Sequence, residues 1–255
     1  MFKGFLMSSL KRLASAVLLT LSLLLLTSTE VSAITKVKKR EGRPPNRAEL
    51  KEAERRLSEM GYSTSRLSGV IDRTALITFQ KWEGRKVTGR LTRDDLDAIL
   101  NATGPQPKDP GYRHVEVDLD RQVLLLTDSG GAIARILPVS TGSGKHYKEK
   151  RMSGLAYTPR GRFRIYGKMS GWRRSPLGLL YYPNYFSDGL AIHGNPSVPR
   201  SPQSHGCIRI PMSAARQMSN QLPVGTIVLI YDKESFVSAK DWAEADKQKQ
   251  ATHIQ

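Results

Sequence analysis

Between residues 103 and 111 the chain sets Gly104, Pro105, Pro107, Pro110 and Gly111 close together. Neither a helix nor a central strand runs through such a stretch, because proline lacks a backbone donor and fixes φ while glycine loses the most freedom on ordering. The chain therefore divides into two regions of different character, with 103–111 as the linker. On the N-terminal side, over 47–102, Leu50, Ala53, Leu57 and Met60 recur at helical spacing and stop at Gly61. A second helical run follows over 75–82, and a third begins near Thr92, where Asp95 three residues later completes a capping-box pattern. On the C-terminal side, over 112–232, apolar and β-branched runs at 113–118, 122–127, 132–139, 162–166, 190–193 and 226–231 predict strands, with one short helix at 213–221. The expected class is α+β: a mainly β domain preceded by a small three-helix domain.

The start of the chain assigns a compartment. Lys3, Lys11 and Arg12 precede an apolar run over 13–26, and Val31-Ser32-Ala33 follows as a small-residue cleavage site. This is the layout of a signal peptide, here 1–33, and it predicts an exported protein, periplasmic or associated with the cell wall. The run is shorter than the roughly 18–20 apolar residues of a spanning helix, so membrane attachment is expected only if the signal stays uncleaved. Residues 34–46 form a basic linker with Pro44-Pro45, and 233–255 a polar C-terminal tail, a surface helix or loose chain. The net charge of +17 suits nucleic acid, anionic lipid or an anionic wall. Export argues against nucleic acid.

Cys207 is the only cysteine in the 255 residues, which excludes an intramolecular disulfide. A lone cysteine is commonly a small buried hydrophobe, and what raises this one above that reading is its surroundings. Two of the five histidines, His193 and His205, stand shortly before it, in segments bent by Gly194, Pro196, Pro199, Pro202 and Gly206. A thiol needs a neighbouring base or cation to react as thiolate, so a Cys/His dyad is plausible chemistry. His193, His205 and Cys207 are also legitimate zinc ligands, but no fourth ligand and no common zinc spacing accompany them. Neither a metal nor a cofactor is expected.

His193-Gly194 followed by Ser204-His205-Gly206-Cys207-Ile208-Arg209 resembles the signature of L,D-transpeptidases with a YkuD-type catalytic domain. Val139-Ser140-Thr141-Gly142, Thr158-Pro159, Gly161 and Phe163 extend the resemblance over about 112–231. It implies a YkuD-type β-sandwich, with Cys207 as nucleophile, His193 as its base, oriented through a backbone carbonyl, and His205 as a pocket-lining histidine. It further implies an oxyanion hole from backbone N–H groups around Gly206 and Cys207, with Ser204, Gly194 and Arg209 beside the substrate. Arg209 could clamp a substrate carboxylate or serve a structural salt bridge. Upstream, Leu57, Gly61-Tyr62, Gly69, Thr74, Phe79-Gln80, Gly89 and Leu91-Thr92 resemble a peptidoglycan-binding helical domain, although Ser68-Gly69-Val70-Ile71-Asp72 stands where that family carries Asp-Gly.

The reaction implied is acyl transfer from a tetrapeptide stem through a Cys207 thioester to an acceptor amine, joining third residues or attaching a protein to the wall. Alternatives are an L,D-carboxypeptidase, a hydrolase releasing wall-attached protein, and a non-catalytic wall-binding protein. Stem peptides are the expected partners, with glycan strands held by the helical domain. The same thiol chemistry implies acylation by carbapenems. Within 171–186, Trp172, Tyr182 and Tyr185 are candidates for a lid, or else for core aromatics.

Overall fold

A computed structural model describes residues 43–62, 68–149, 152–236 and 241. The expected signal peptide, nearly all of the expected basic linker and most of the expected C-terminal tail lie outside the described residues. By contacts the chain divides into residues 1–46, whose described part is a bend and extended chain, and residues 47–255, which hold all that follows. Among the described residues no helix is long and apolar enough to cross a membrane.

Helix α1 (Arg47–Glu59), α2 (Arg73–Trp82) and α3 (Arg93–Asn101) occur where the periodicity places them. Gly61 ends α1 at φ +86°, with Tyr62 N–H donating back to Leu57 O at 2.9 Å. A side chain at Gly61 would also collide, since its Cβ would stand 2.9 Å from Ile133 Cγ2, and the Gly61 carbonyl accepts from Ile136 N–H at 2.8 Å. Thr92 caps α3 in a complete capping box with Asp95. Strands β1 (His114–Asp118), β2 (Val123–Thr127) and β3 (Ile133–Pro138) form a meander. After it come β4 (His146–Glu149), β5 (Met152–Leu155), β6 (Gly161–Arg164), β7 (Gly167–Lys168), β8 (Trp172–Ser175), β9 (Gly178–Ser187), β10 (Leu190–Asn195) and β11 (Ile208–Pro211), then α4 (Met212–Gln221) and β12 (Ile227–Tyr231).

One sheet runs β3-β2-β1-β12-β6, the other β11-β10-β9-β7 with β8 on β9, and β4-β5 is a separate hairpin. Strand β2 is buried at every position. Leu124 and Leu126 point into the core between the sheets, with Ile192, Ile208 and Ile210, while Val123 and Leu125 point the other way, into a second core with Leu57, Phe79, Leu96 and Ile99 of the helical region. Its Val-Leu-Leu-Leu run is therefore apolar without alternation, as a strand covered on both faces must be. Each such leucine removed from water is worth about 2 kcal/mol. The helices thus cover the outer face of the first sheet.

Polar groups at these junctions find partners. Lys81, on α2, is buried and donates to Gln122 O at 3.1 Å and Val139 O at 2.8 Å, with burial lowering its ammonium to about 8. Glu116 accepts from Lys108 N–H and Asp109 N–H of the connecting segment, and from Tyr231 OH, at 2.9–3.0 Å. The Pro/Gly stretch is thereby fastened to the sheet.

Candidate active site

The site is built at the seam of β10 and β11, which run parallel with His193 opposite Arg209. Residues 196–207 connect them, and Cys207 is the last residue before β11. Parallel neighbours need such a crossover, and the prolines and glycines seen in the sequence let it turn tightly.

Backbone and hydroxyl groups hold this crossover against the segment that follows β3. Ser140 and Arg209 exchange two backbone hydrogen bonds of 3.1 Å, Ser204 N–H donates to Thr141 O at 2.9 Å, and Ser143 N–H donates to Ser204 O at 3.0 Å. Ser204 Oγ donates to Cys207 O at 2.5 Å and accepts from Gly206 N–H at 3.0 Å. Thr158 Oγ1 accepts from Gly142 N–H and donates to Gly206 O, at 2.8 and 2.7 Å. Gly206 has φ +140°, and a Cβ there would stand 2.7 Å from Tyr157 O, so only glycine fits. At Gly194 the obstacle is packing: a Cβ would come within 2.6 Å of Ala215 Cβ on α4.

His193 is 2% exposed, and its Nδ1 lies 2.9 Å from Gly194 O. A carbonyl can only accept, so Nδ1 carries the proton and Nε2 keeps the lone pair. Burial lowers the imidazole to about 4, the Gly194 carbonyl opposes that, and the Arg209 charge adds to it. Burial raises the Cys207 thiol, against the smaller opposing effects of the Ala191 backbone N–H and Arg209. At neutral pH the resting pair is thus thiol and neutral imidazole rather than a preformed ion pair. Arg209 is half-buried beside them.

His205 is held differently. Its Nε2 lies 3.0 Å from Glu149 Oε1, and the Tyr147 ring meets its ring edge-on at 4.6 Å between centroids. Cys207, His193, His205 and Arg209 share a cavity of about 350 Å³, walled by residues 175–180, residues 188–190, and Tyr147 and Met152 of the β4-β5 hairpin. Among the described residues no three His, Cys, Asp or Glu side chains are grouped to hold a metal ion.

The aromatic lid candidates stand elsewhere. Trp172 is 52% exposed with its ring 4.9 Å from Tyr181, Tyr182 packs against the inter-sheet core, and Tyr185 faces Tyr166 at 6.2 Å. None of the three lines the cavity, whose wall from this part of the chain is the β8-β9 turn. Trp172 sits on β8 and Tyr182 and Tyr185 lie further along β9, whereas the residues at the cavity are Ser175 to Leu180 around the turn that joins the two strands. Glu149, Tyr147 and Asp188 were not singled out from sequence, since nothing in their local pattern connects them to a cysteine far along the chain.

Comparison with known proteins gives the family. The L,D-transpeptidase catalytic domain family, YkuD, matches residues 112–230. The solved L,D-transpeptidase of Xylanimonas cellulosilytica is 34% identical, covering 75% of this chain and 96% of that one, with a TM-score of 0.67. An L,D-transpeptidase of Stackebrandtia nassauensis is 24% identical over 71% of this chain and 90% of that one, with a TM-score of 0.43. One of Mycobacterium tuberculosis is 18% identical over 48% and 58%, with a TM-score of 0.38. No curated protein matches. On the first of these solved structures and the family match, the chain belongs to the YkuD L,D-transpeptidase family.

Proposed function

We propose that this protein is an exported peptidoglycan L,D-transpeptidase in which Cys207 is the nucleophile and His193 its base. The observation that carries the reading is the hydrogen bond from His193 Nδ1–H to Gly194 O, which leaves Nε2 as the acceptor for a thiol at the same cavity. As Sγ attacks the carbonyl of the third residue of a tetrapeptide stem, its proton passes to His193 Nε2. That proton then goes to the nitrogen of the departing D-alanine, leaving a thioester on Cys207. The oxyanion needs donors in place. Gly206 N–H is given to Ser204 Oγ, which supports Cys207 N–H as the donor, with Ser204 holding the turn. The Arg209 charge favours the thiolate at Cys207 and disfavours the imidazolium at His193. The three-helix region, 47–102, is proposed to meet glycan strands, and 112–232 to carry the chemistry. Cleavage after Ala33 would release the mature chain to the periplasm or wall.

The test is mass spectrometry of muropeptides after incubating the mature protein with disaccharide-tetrapeptides. Dimers joined between third residues are expected, and a Cys207→Ser protein should form neither dimers nor a carbapenem adduct. Tripeptides alone would reassign the protein as a carboxypeptidase. No product with the wild-type protein would sink the proposal.

A further inference from the structure

Two histidines face one cavity, and only one of them is needed to start the reaction. His193 shares the cavity with Cys207 and has a backbone carbonyl as its ring partner, and burial together with Arg209 disfavours its cation. His205 has a carboxylate. Glu149 Oε1 accepts from Nε2–H at 3.0 Å, which fixes the tautomer and leaves Nδ1 with the lone pair, and Tyr147 packs across the ring from the same hairpin. A carboxylate behind an imidazole orients it and stabilises the imidazolium formed when it takes a proton. In this strongly basic chain, the cavity has few anionic groups to receive an amine. Asp188 also lines the cavity, but it is an exposed residue of the β9-β10 turn.

Resting on the acyl-transfer reading above, we infer that His205, oriented by Glu149, is the base of the second half-reaction, serving the acceptor amine while His193 serves the thiol. In that step the neutral primary amine of a neighbouring stem attacks the thioester carbonyl, and a C–N bond forms. The extra proton on nitrogen passes to His205 Nδ1, and the C–S bond breaks with its electron pair on Sγ. The proton on His205 then returns to the Cys207 thiolate, restoring thiol and neutral imidazole. Glu149 acts through His205 and is a positioning residue; its side chain is 53% exposed, so exchanging it leaves the core intact.

The experiment separates the halves. Wild-type, Glu149→Gln, Glu149→Asp, His205→Gln and Asp188→Asn proteins are acylated with a tetrapeptide stem ending in D-alanine, and the rate is followed by intact mass. A tripeptide stem bearing a free side-chain amine is then added, and aminolysis is followed against hydrolysis by water. Glu149→Gln and His205→Gln are expected to lower the ratio of the aminolysis rate to the acylation rate at least tenfold, against the roughly 10²–10⁴-fold that a positioned base supplies. Glu149→Asp should recover most of it. A ratio unchanged in Glu149→Gln, with both rates lowered together, would mark the Glu149–His205 contact as a fastening of the hairpin and overturn the inference. A fall in Asp188→Asn alone would place amine recognition at Asp188 and overturn it too. If wild type forms no acyl-enzyme, the acyl-transfer reading itself fails, which is a different result from a formed acyl-enzyme with an unchanged ratio.

Discussion

The corner between α2 and α3 and the seam between β10 and β11 each seal an ionisable side chain from water, Asp95 at 4% exposure and His193 at 2%, with opposite consequences. Burial pushes the Asp95 carboxyl up, but hydrogen bonds from Thr92, Arg85 and Gln80 outweigh it and hold the group below its ordinary range. At His193 burial is the main cause, the hydrogen-bond partner of its ring is a carbonyl, and the nearby charge is of the wrong sign, so the charged form is suppressed. The first arrangement stabilises a helix start. The second keeps the proposed base neutral and able to take a proton, at the expense of stability in acid.

That contrast can be broken at several points. The largest effect is expected from His193→Asn, which should slow acyl-enzyme formation by about 10²- to 10⁴-fold in single-turnover mass spectrometry. A loss of less than tenfold would mean that another group ionises the thiol. Next is the acid limb. The unfolded chain protonates His193 near 6.5 and the folded one only near 4, so the unfolded state binds the proton first and stability falls as pH drops through that window. The loss is at most about 3 kcal/mol, read from denaturant midpoints against pH, and His193→Asn should flatten this limb. Asp95 has the same sign in a lower window: its contribution is present at neutral pH and is lost only as pH falls below 3.8, the ordinary carboxyl value.

Smaller changes test how the two regions are joined. Lys81→Met removes the donor shared by Gln122 O and Val139 O, and should cost about 1–3 kcal/mol by chemical denaturation. A shift confined to the helices would show that they unfold apart from the sheet. Asp95→Ala should cost about 1 kcal/mol through the lost cap, with Cys207 acylation unchanged. Slower acylation without lost stability would make that corner part of the site.

The helices and the meander were legible because their signals are local. Leu57 and Met60 repeat with the helix period, Thr92 and Asp95 form a cap within one turn, and β2 is a short apolar run between turns. The hairpin β4-β5 and strands β7, β8, β9 and β11 were not anticipated. β4 and β5 are largely exposed and carry no apolar pattern, and β9 is interrupted by Pro183, with irregular pairing to β10. Aromatics at 172, 182 and 185 suggest a lid, whereas Trp172 of β8 and Tyr182 and Tyr185 of β9 pack against other rings and the core.

At the site, residue types in a Pro- and Gly-bent segment named Cys207, His193 and His205, because nucleophilic chemistry requires a thiol and bases and few residues supply them. Order along the chain thus determined which groups could react. Their protonation states and their partners came only with the tertiary structure. Desolvation depends on what packs over a side chain, and Glu149 reaches His205 through a hairpin from a distant part of the chain. No local pattern encodes a hydrogen bond between residues that only the folded sheets bring together.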